Sequence, residues 1–223
     1  MINQEIIKYV EALTPSRSTI LAEMEHVAQV EGVPIMELTA MNALLILLNL
    51  KQPAHIVEIG TAIGYSAIQM AEALPSVQIT TIERDESRYN QALAYISRAN
   101  LSDRITVIHG DAKEAVESVA QLSKIDVLFI DAAKGQYQSF FELYTPFLDE
   151  AGLVLSDNIL FRGLVAQEDL SDQPKRYQKL VEKIQRYNTW LSDHPQYETR
   201  ILPIGDGLAC SIKKDHVTWL KEE

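Results

Sequence analysis

Residues 55–83 read HIVEIGTAIGYSAIQMAEALPSVQITTIE. HIVEIG (55–60) is a short apolar run bounded by a glycine-containing loop, the pattern of a buried strand. YSAIQMAEAL (65–74) carries its apolar residues at helical spacing. VQITTIE (77–83) returns to β-branched residues and reads as a second strand. Strand, loop, helix and strand in so short a span form the unit of a parallel sheet, because parallel neighbours need a crossover connection.

The same alternation continues outward. Strands are expected at 104–110, 125–131 and 152–158, with helices at 86–99, 112–121 and 137–148, and a long amphipathic helix at 173–193. Upstream, 2–13, 16–31 and 37–50 read as helices punctuated by Pro15 and Pro34. Downstream, 197–205 and 207–214 resemble a closing hairpin with Gly205, Asp206 and Gly207 as its turn. The expected fold is therefore α/β: a seven-stranded, mostly parallel sheet covered by helices on both faces, with antiparallel pairing at one edge. A single domain over 1–223 is expected, with 1–50 as a helical segment packed on it.

Composition narrows the setting. The chain has 223 residues and a formal net charge of −11, which opposes bulk, nonspecific binding to nucleic acid. A local basic stretch exists at 172–186, with Lys175, Arg176, Lys179, Lys183 and Arg186. Charge alone reads it as a solvated helix face, since Glu182 is interspersed. The longest apolar run, ALLILLNL at 43–50, is too short for a membrane span. The amino terminus lacks a basic n-region, and Cys210 is the only cysteine, so a reducing cytoplasm is expected.

In parallel sheets ligands bind beyond the carboxyl ends of the strands, where strand order reverses. Five strand ends carry candidates. The first offers Glu58 and the loop from Gly60 to Gly64, then Ser66; the spacing is not that of a dinucleotide fingerprint. The second ends in Glu83, placed to accept from both hydroxyls of a ribose. The third ends in Gly110, Asp111 and Ala112, suited to an adenine ring. Together they favour an adenosine-bearing cofactor without a pyrophosphate, as in S-adenosylmethionine. The fourth and fifth strands end in Asp131 and in Asp157–Asn158. Two carboxylates and an amide carbonyl suit Mg²⁺ or another hard divalent ion. The five histidines are scattered without ligand spacing. By itself Asp157–Asn158 is also an ordinary turn, and Lys134 an ordinary solvated lysine.

VEIGTAIGYS, TIER, GDA, DAAKG and SDN, in this order, resemble the metal-dependent, catechol-type O-methyltransferases that use S-adenosylmethionine. The resemblance spans nearly the whole chain and implies a Rossmann-like methyltransferase fold. VPIMEL, IDAAKGQYQ, DNILFRGLVA, YNTWLSDHPQYET and PIGDGLA bring it closer to the bacterial branch that methylates 5-hydroxyuridine at the tRNA wobble position. The family implies Asp131, Asp157 and Asn158 as metal ligands and Glu83 as the ribose partner. It implies Met36, Glu58, Gly60, Ser66, Asp111 and Ala112 around the methionine moiety and adenine, with Asp131 beside the cofactor. Lys134 matches the family's catalytic lysine, and Asp131 shares the catalytic site. Ala132 and Ala133 stand where animal catechol enzymes carry bulky residues, which leaves room for a larger substrate.

The expected reaction is methyl transfer to the 5-hydroxyl of 5-hydroxyuridine, giving 5-methoxyuridine. Its two vicinal oxygens would sit on the divalent ion, and Lys134 would take or stabilise the proton. The partner is then a tRNA anticodon loop, with Arg162 and the 175–186 cluster near phosphates and Phe161 and Tyr137 as stacking candidates. The alternative is a small-molecule catechol or phenol O-methyltransferase. A nucleotide-binding module without chemistry would need no metal triad. The apolar N-terminal helices and the long 173–193 helix also suit a homodimer, and no membrane partner is expected.

Overall fold

A computed structural model describes residues 4–122 and 124–217. Eight α-helices and seven strands are seen among them. The strands are β1 (His55–Ile59), β2 (Gln78–Glu83), β3 (Ile105–His109), β4 (Ile125–Ile130), β5 (Leu148–Ser156), β6 (Tyr197–Leu202) and β7 (Leu208–Lys213). They form one sheet in the order β3-β2-β1-β4-β5-β7-β6. The first five are mutually parallel; β7 runs antiparallel to both β5 and β6. The sheet is thus the Rossmann-like arrangement expected, with the hairpin closing one edge.

The helices are α1 (Gln4–Leu13), α2 (Thr19–Glu31), α3 (Leu38–Lys51), α4 (Tyr65–Ala73), α5 (Glu86–Arg98), α6 (Val116–Ala120), α7 (Tyr137–Tyr144) and α8 (Lys175–Ser192). Residues 2 and 3 of the first expected helix lie outside the described residues. Strand alternation separates two cores. On β4, Val127 and Phe129 join Met24, Met41, Leu44 and Ile68 on one face. Leu128 and Ile130 join Phe141, Tyr144, Ile184 and Leu191 on the other. This is the pleat of a strand buried on both sides, which explains why β4 reads as an unbroken apolar run. No helix among the described residues is long and apolar enough to cross a membrane.

Several boundaries differ from expectation, α2 beginning at Thr19 and β6 ending at Leu202 among them, and three of the differences have a local cause. α6 begins at Val116 because Asp111 first closes a turn, its carbonyl accepting from Glu114 and Ala115 nitrogens at 2.9 and 3.0 Å. α7 stops at Tyr144, and Pro146 sits in the single 3₁₀ turn that follows. β5 begins at Leu148 rather than 152. Leu148 pairs with Ile125 and Leu153 with Val127, so residues 149–152 bulge out of the ladder while remaining part of the strand.

Candidate functional site

The strand order reverses between β1 and β4, since β2 and β3 lie on one side of β1 and β4 and β5 on the other. The crevice above their carboxyl ends is the expected ligand site. Gly60 ends β1 with φ +106°, and a Cβ added there would lie 1.9 Å from the carbonyl oxygen of Asp131. Only glycine permits this approach of two backbones. The Asp131 nitrogen donates to the Ile59 carbonyl at 3.0 Å, which ties the two strand ends together. Gly64 (φ +89°) then turns the loop into α4.

A cavity of about 340 Å³ opens over this crossing, within the usual range for a small-molecule site. Gly60, Glu83, Asp111, Ala112, Asp131, Lys134 and Asn158 all line it. Glu83 stands at one end of it, held by the nitrogens of Ala62 and Asp85, each at 2.9 Å. The remaining lone pairs of its carboxylate stay available. Arg84, Arg88, Gln136 and Phe140 also line the wall and were not singled out from the sequence.

Four expected residues stand behind the wall rather than on it. Met36 is buried in the core, with Pro34 and Ile35 facing the cavity in its place. Glu58 is fully buried beneath the glycine loop and accepts from the Ser66 and Thr81 hydroxyls. Burial pushes its carboxyl up to about 7, against the pull of those two hydroxyls, and the charge of Glu83 adds to the rise. Glu58 and Ser66 therefore brace the loop from below. Asp157 is buried beside Asn158.

At the other end, Asp131, Asp157 and Asn158 converge. The Asn158 amide nitrogen lies 2.6 Å from Asp157 Oδ2 and 3.4 Å from Asp131 Oδ1. Asp157 Oδ1 is buried without a hydrogen-bond partner. Both carboxyls are pushed well above the ordinary carboxylate range. Burial is the main cause, followed by Glu58 for Asp131 and by Asp131 for Asp157. A buried acid with an orphaned oxygen, beside a half-buried one, is the kind of donor set a hard cation satisfies. The Asn158 amide presents oxygen in place of nitrogen on a 180° rotation, an exchange of nearly identical shape. Among the described residues no group of three or more His, Cys, Asp or Glu is placed to hold a metal ion. A cation here would draw on two acids and an amide, leaving positions for water or substrate oxygens, which suits Mg²⁺.

Raised pKa values set a sign for stability. A folded carboxyl that titrates above its unfolded range near ~4 holds protons that the unfolded chain has lost. Stability then falls as pH rises through the neutral range, where Asp131 and Asp157 titrate at about 7 and about 8. With a chelator present, the wild-type melting temperature is expected to fall between pH 6 and 8.5 more steeply than that of Asp157→Asn. Millimolar Mg²⁺ should offset the wild-type fall and leave the variant unchanged. Parallel curves for the two proteins, with no effect of Mg²⁺, would contradict the assignment.

Lys134 stands at the mouth. Its ammonium donates to Asn158 Oδ1 at 3.0 Å and to Asp206 Oδ2 at 3.4 Å, and lies 4.7 Å from the centre of the Phe161 ring. Phe161 in turn meets Tyr177 edge-on at 5.6 Å. Tyr137 is no stacking partner for a ligand. It is buried in the core, its hydroxyl donates to the Asp157 carbonyl at 3.0 Å, and its ring abuts Tyr187. The basic residues of α8 are exposed, and the Lys183 amine reaches over Gly135, within 3.1 Å of where a Cβ there would stand. The basic face therefore borders the mouth through the segment that carries Lys134.

The O-methyltransferase family profile matches residues 11–214. The chain belongs to the O-methyltransferase family. This methyltransferase is 31% identical over 181 residues to a caffeoyl-CoA O-methyltransferase of Populus kitakamiensis, covering 79% of this chain and 76% of that one. A solved structure from Staphylococcus aureus, named as a candidate caffeoyl-CoA O-methyltransferase, is 36% identical with a TM-score of 0.84, covering 94% and 98% of the two chains. An O-methyltransferase from Bacillus cereus, solved with SAH (S-adenosylhomocysteine), shares the fold at a TM-score of 0.80 and 24% identity, covering 94% and 97%. The protein is an S-adenosylmethionine-dependent O-methyltransferase.

Proposed function

We propose that this methyltransferase moves the methyl group of S-adenosylmethionine onto a hydroxyl that has a second oxygen beside it, assisted by a hard divalent cation. One observation carries the proposal: Asp131 joins the two halves of the site. Its backbone packs on Gly60 under the cofactor cavity, while its carboxylate faces Asp157 and Asn158. A cation bound there would hold both acceptor oxygens and make the hydroxyl more acidic. Lys134, donating at the mouth, would stabilise the oxyanion as the proton leaves. Asp131 and the loop at Gly60 would keep donor methyl and acceptor oxygen in line.

The names of the relatives favour a small phenolic acceptor of catechol type. A second reading, 5-hydroxyuridine at the wobble position of tRNA, has its own support. Lys175, Arg176, Lys179, Lys183 and Arg186 are all exposed, on a chain of net charge −11. They adjoin a mouth lined by the small Ala132 and Ala133. A splayed anticodon base carries the same pair of vicinal oxygens, and its backbone would follow the basic face. The deciding assay offers purified protein with labelled S-adenosylmethionine two acceptors in parallel, catechol and hydroxyuridine-containing tRNA. Label in catechol alone establishes the first reading and excludes the second; label in tRNA, lost when Lys179 and Lys183 become Glu, establishes the second. Label in neither contradicts both.

We also propose a homodimer built on α1. Ile6, Tyr9, Val10 and Leu13 recur on one face and are all exposed, and α1 buries no residue of its own. α1 rests on α3, and a second copy would cover the apolar face that α3 leaves exposed. Sedimentation velocity should report a dimer for the wild type and a monomer for Tyr9→Glu; identical coefficients would refute it.

A further inference from the structure

We propose that Asp206 is the positioning residue for Lys134, which makes the β6–β7 turn a working part of the active site. The inference rests on the reading of Lys134 as the group that meets the acceptor hydroxyl. From the sequence, Asp206 is only the middle residue of a Gly-Asp-Gly turn.

The surroundings leave that turn one place to sit. A Cβ on Gly205 (φ +57°) would lie 2.6 Å from Ala40 Cβ, and one on Gly207 (φ +91°) 2.4 Å from Leu160 Cγ. The turn is wedged between α3 and the segment after β5. That segment is zipped to it by backbone bonds: Leu160 nitrogen to the Asp206 carbonyl at 2.8 Å, and Ile159 nitrogen to the Gly207 carbonyl at 3.2 Å. The Asp206 carboxylate then divides its two oxygens. Oδ1 accepts from the Arg162 nitrogen, and Oδ2 faces the Lys134 amine at 3.4 Å. Both side chains of the ion pair are largely shielded, 15% exposed for Asp206 and 19% for Lys134.

The Arg162 bond matters because Phe161 and Arg162 both hold left-handed backbones, φ +45° and +56°, which non-glycine residues adopt at a cost. Accepting from Arg162 helps hold Phe161 where its ring lies against the Lys134 ammonium. One carboxylate therefore fixes Lys134 twice, by direct charge pairing and through the Phe161 ring. Asn158 Oδ1 accepts from Lys134 on a third side, a bond the amide gives up when it turns that oxygen toward a cation, so Asp206 is the partner that remains. Without Asp206, a four-carbon lysine stem would regain its rotamers, and Nζ would no longer be held over the hydroxyl.

The test is Asp206→Asn, which keeps the shape and an acceptor for Arg162 but removes the charge. Its kcat is expected to fall about tenfold, the size of a charge-assisted hydrogen bond, with cofactor affinity changed less than about twofold. In a Lys134→Met background the same substitution should cost less than about twofold, because neighbours that act as a unit are not additive. A second readout needs no acceptor and stands even if the proposed chemistry fails. The amine of Lys134 is labelled by reductive ¹³C-methylation and assigned by Lys134→Arg. Its resonance should be resolved from the exposed lysines in wild type and merge with them in Asp206→Asn. An unmoved resonance, or an equal loss of kcat in both backgrounds, overturns the proposal; so does lost thermal stability with the resonance in place, which would leave Asp206 only a brace.

Discussion

Asp157→Ala is expected to lower turnover about a thousandfold, the scale set by several kcal/mol of lost stabilisation of transition-state charge. The acceptor's hydroxyl would lose the centre that holds it and its neighbouring oxygen. The cofactor should still bind within about threefold of wild type, because Asp157 lies behind the cavity wall and touches none of its Glu83 end. The variant should also melt no lower than wild type at pH 8.5 in chelator. The repulsion from Asp131 that helps raise the Asp157 carboxyl would vanish with that carboxyl. The paired measurement is turnover with calorimetric cofactor binding. Near-normal turnover, or lost cofactor binding with normal chemistry, would place Asp157 outside the metal-binding role.

Gly60→Ala should act on the opposite half. The added Cβ would stand 1.9 Å from the Asp131 oxygen and 2.8 Å from its carbonyl carbon, backbone atoms just past the end of β4 that the bond to Ile59 holds in place. Its φ of +106° adds strain that an L side chain meets and glycine does not. Relief requires β1 and β4 to part at their carboxyl ends, where Asp131 borders the cavity. A stability loss of about 3 kcal/mol or more follows for strain of this kind at a packed crossing, with cofactor affinity reduced at least a hundredfold. Gly32→Ala is the control. Gly32 also has a left-handed backbone, φ +66°, but nothing lies within 4 Å of its Cβ position. It should cost only about 1 kcal/mol and leave cofactor binding intact. Similar behaviour of the two variants would remove the close approach as the explanation.

The parallel half of the molecule is legible in the sequence because its strands are buried on both faces. Unbroken apolar runs such as VLFI admit few other readings, and the polar residues that end them are then bound to cluster. That is how Gly60, Glu83, Asp111, Asp131, Lys134 and Asn158 come to share one cavity. Depth within a layer is less legible. Glu58 and Ser66 lie two to four positions from loop residues on the cavity wall, yet the pleat and the first turn of α4 send them into the core behind it. Tyr137 is a similar case, since an aromatic residue at a helix start serves a ligand or a core equally well, and α8 settles it for the core. Asp206 is the least visible. It is 72 residues from Lys134 in sequence, and only the pairing of β7 with β5 carries the turn across to it. Its one signal is an acid flanked by two glycines, which sequence alone reads as an ordinary turn.

The most direct measurement is transfer of labelled methyl from S-adenosylmethionine in a single turnover, using whichever acceptor the paired assay labels. It is run first with excess chelator and then after readdition of Mg²⁺, on wild type and Asp157→Ala. The wild type should transfer nothing in chelator and recover fully on readdition, while the variant recovers neither rate nor extent. Undiminished transfer by the chelated wild type would contradict a metal-assisted reaction at Asp131, Asp157 and Asn158.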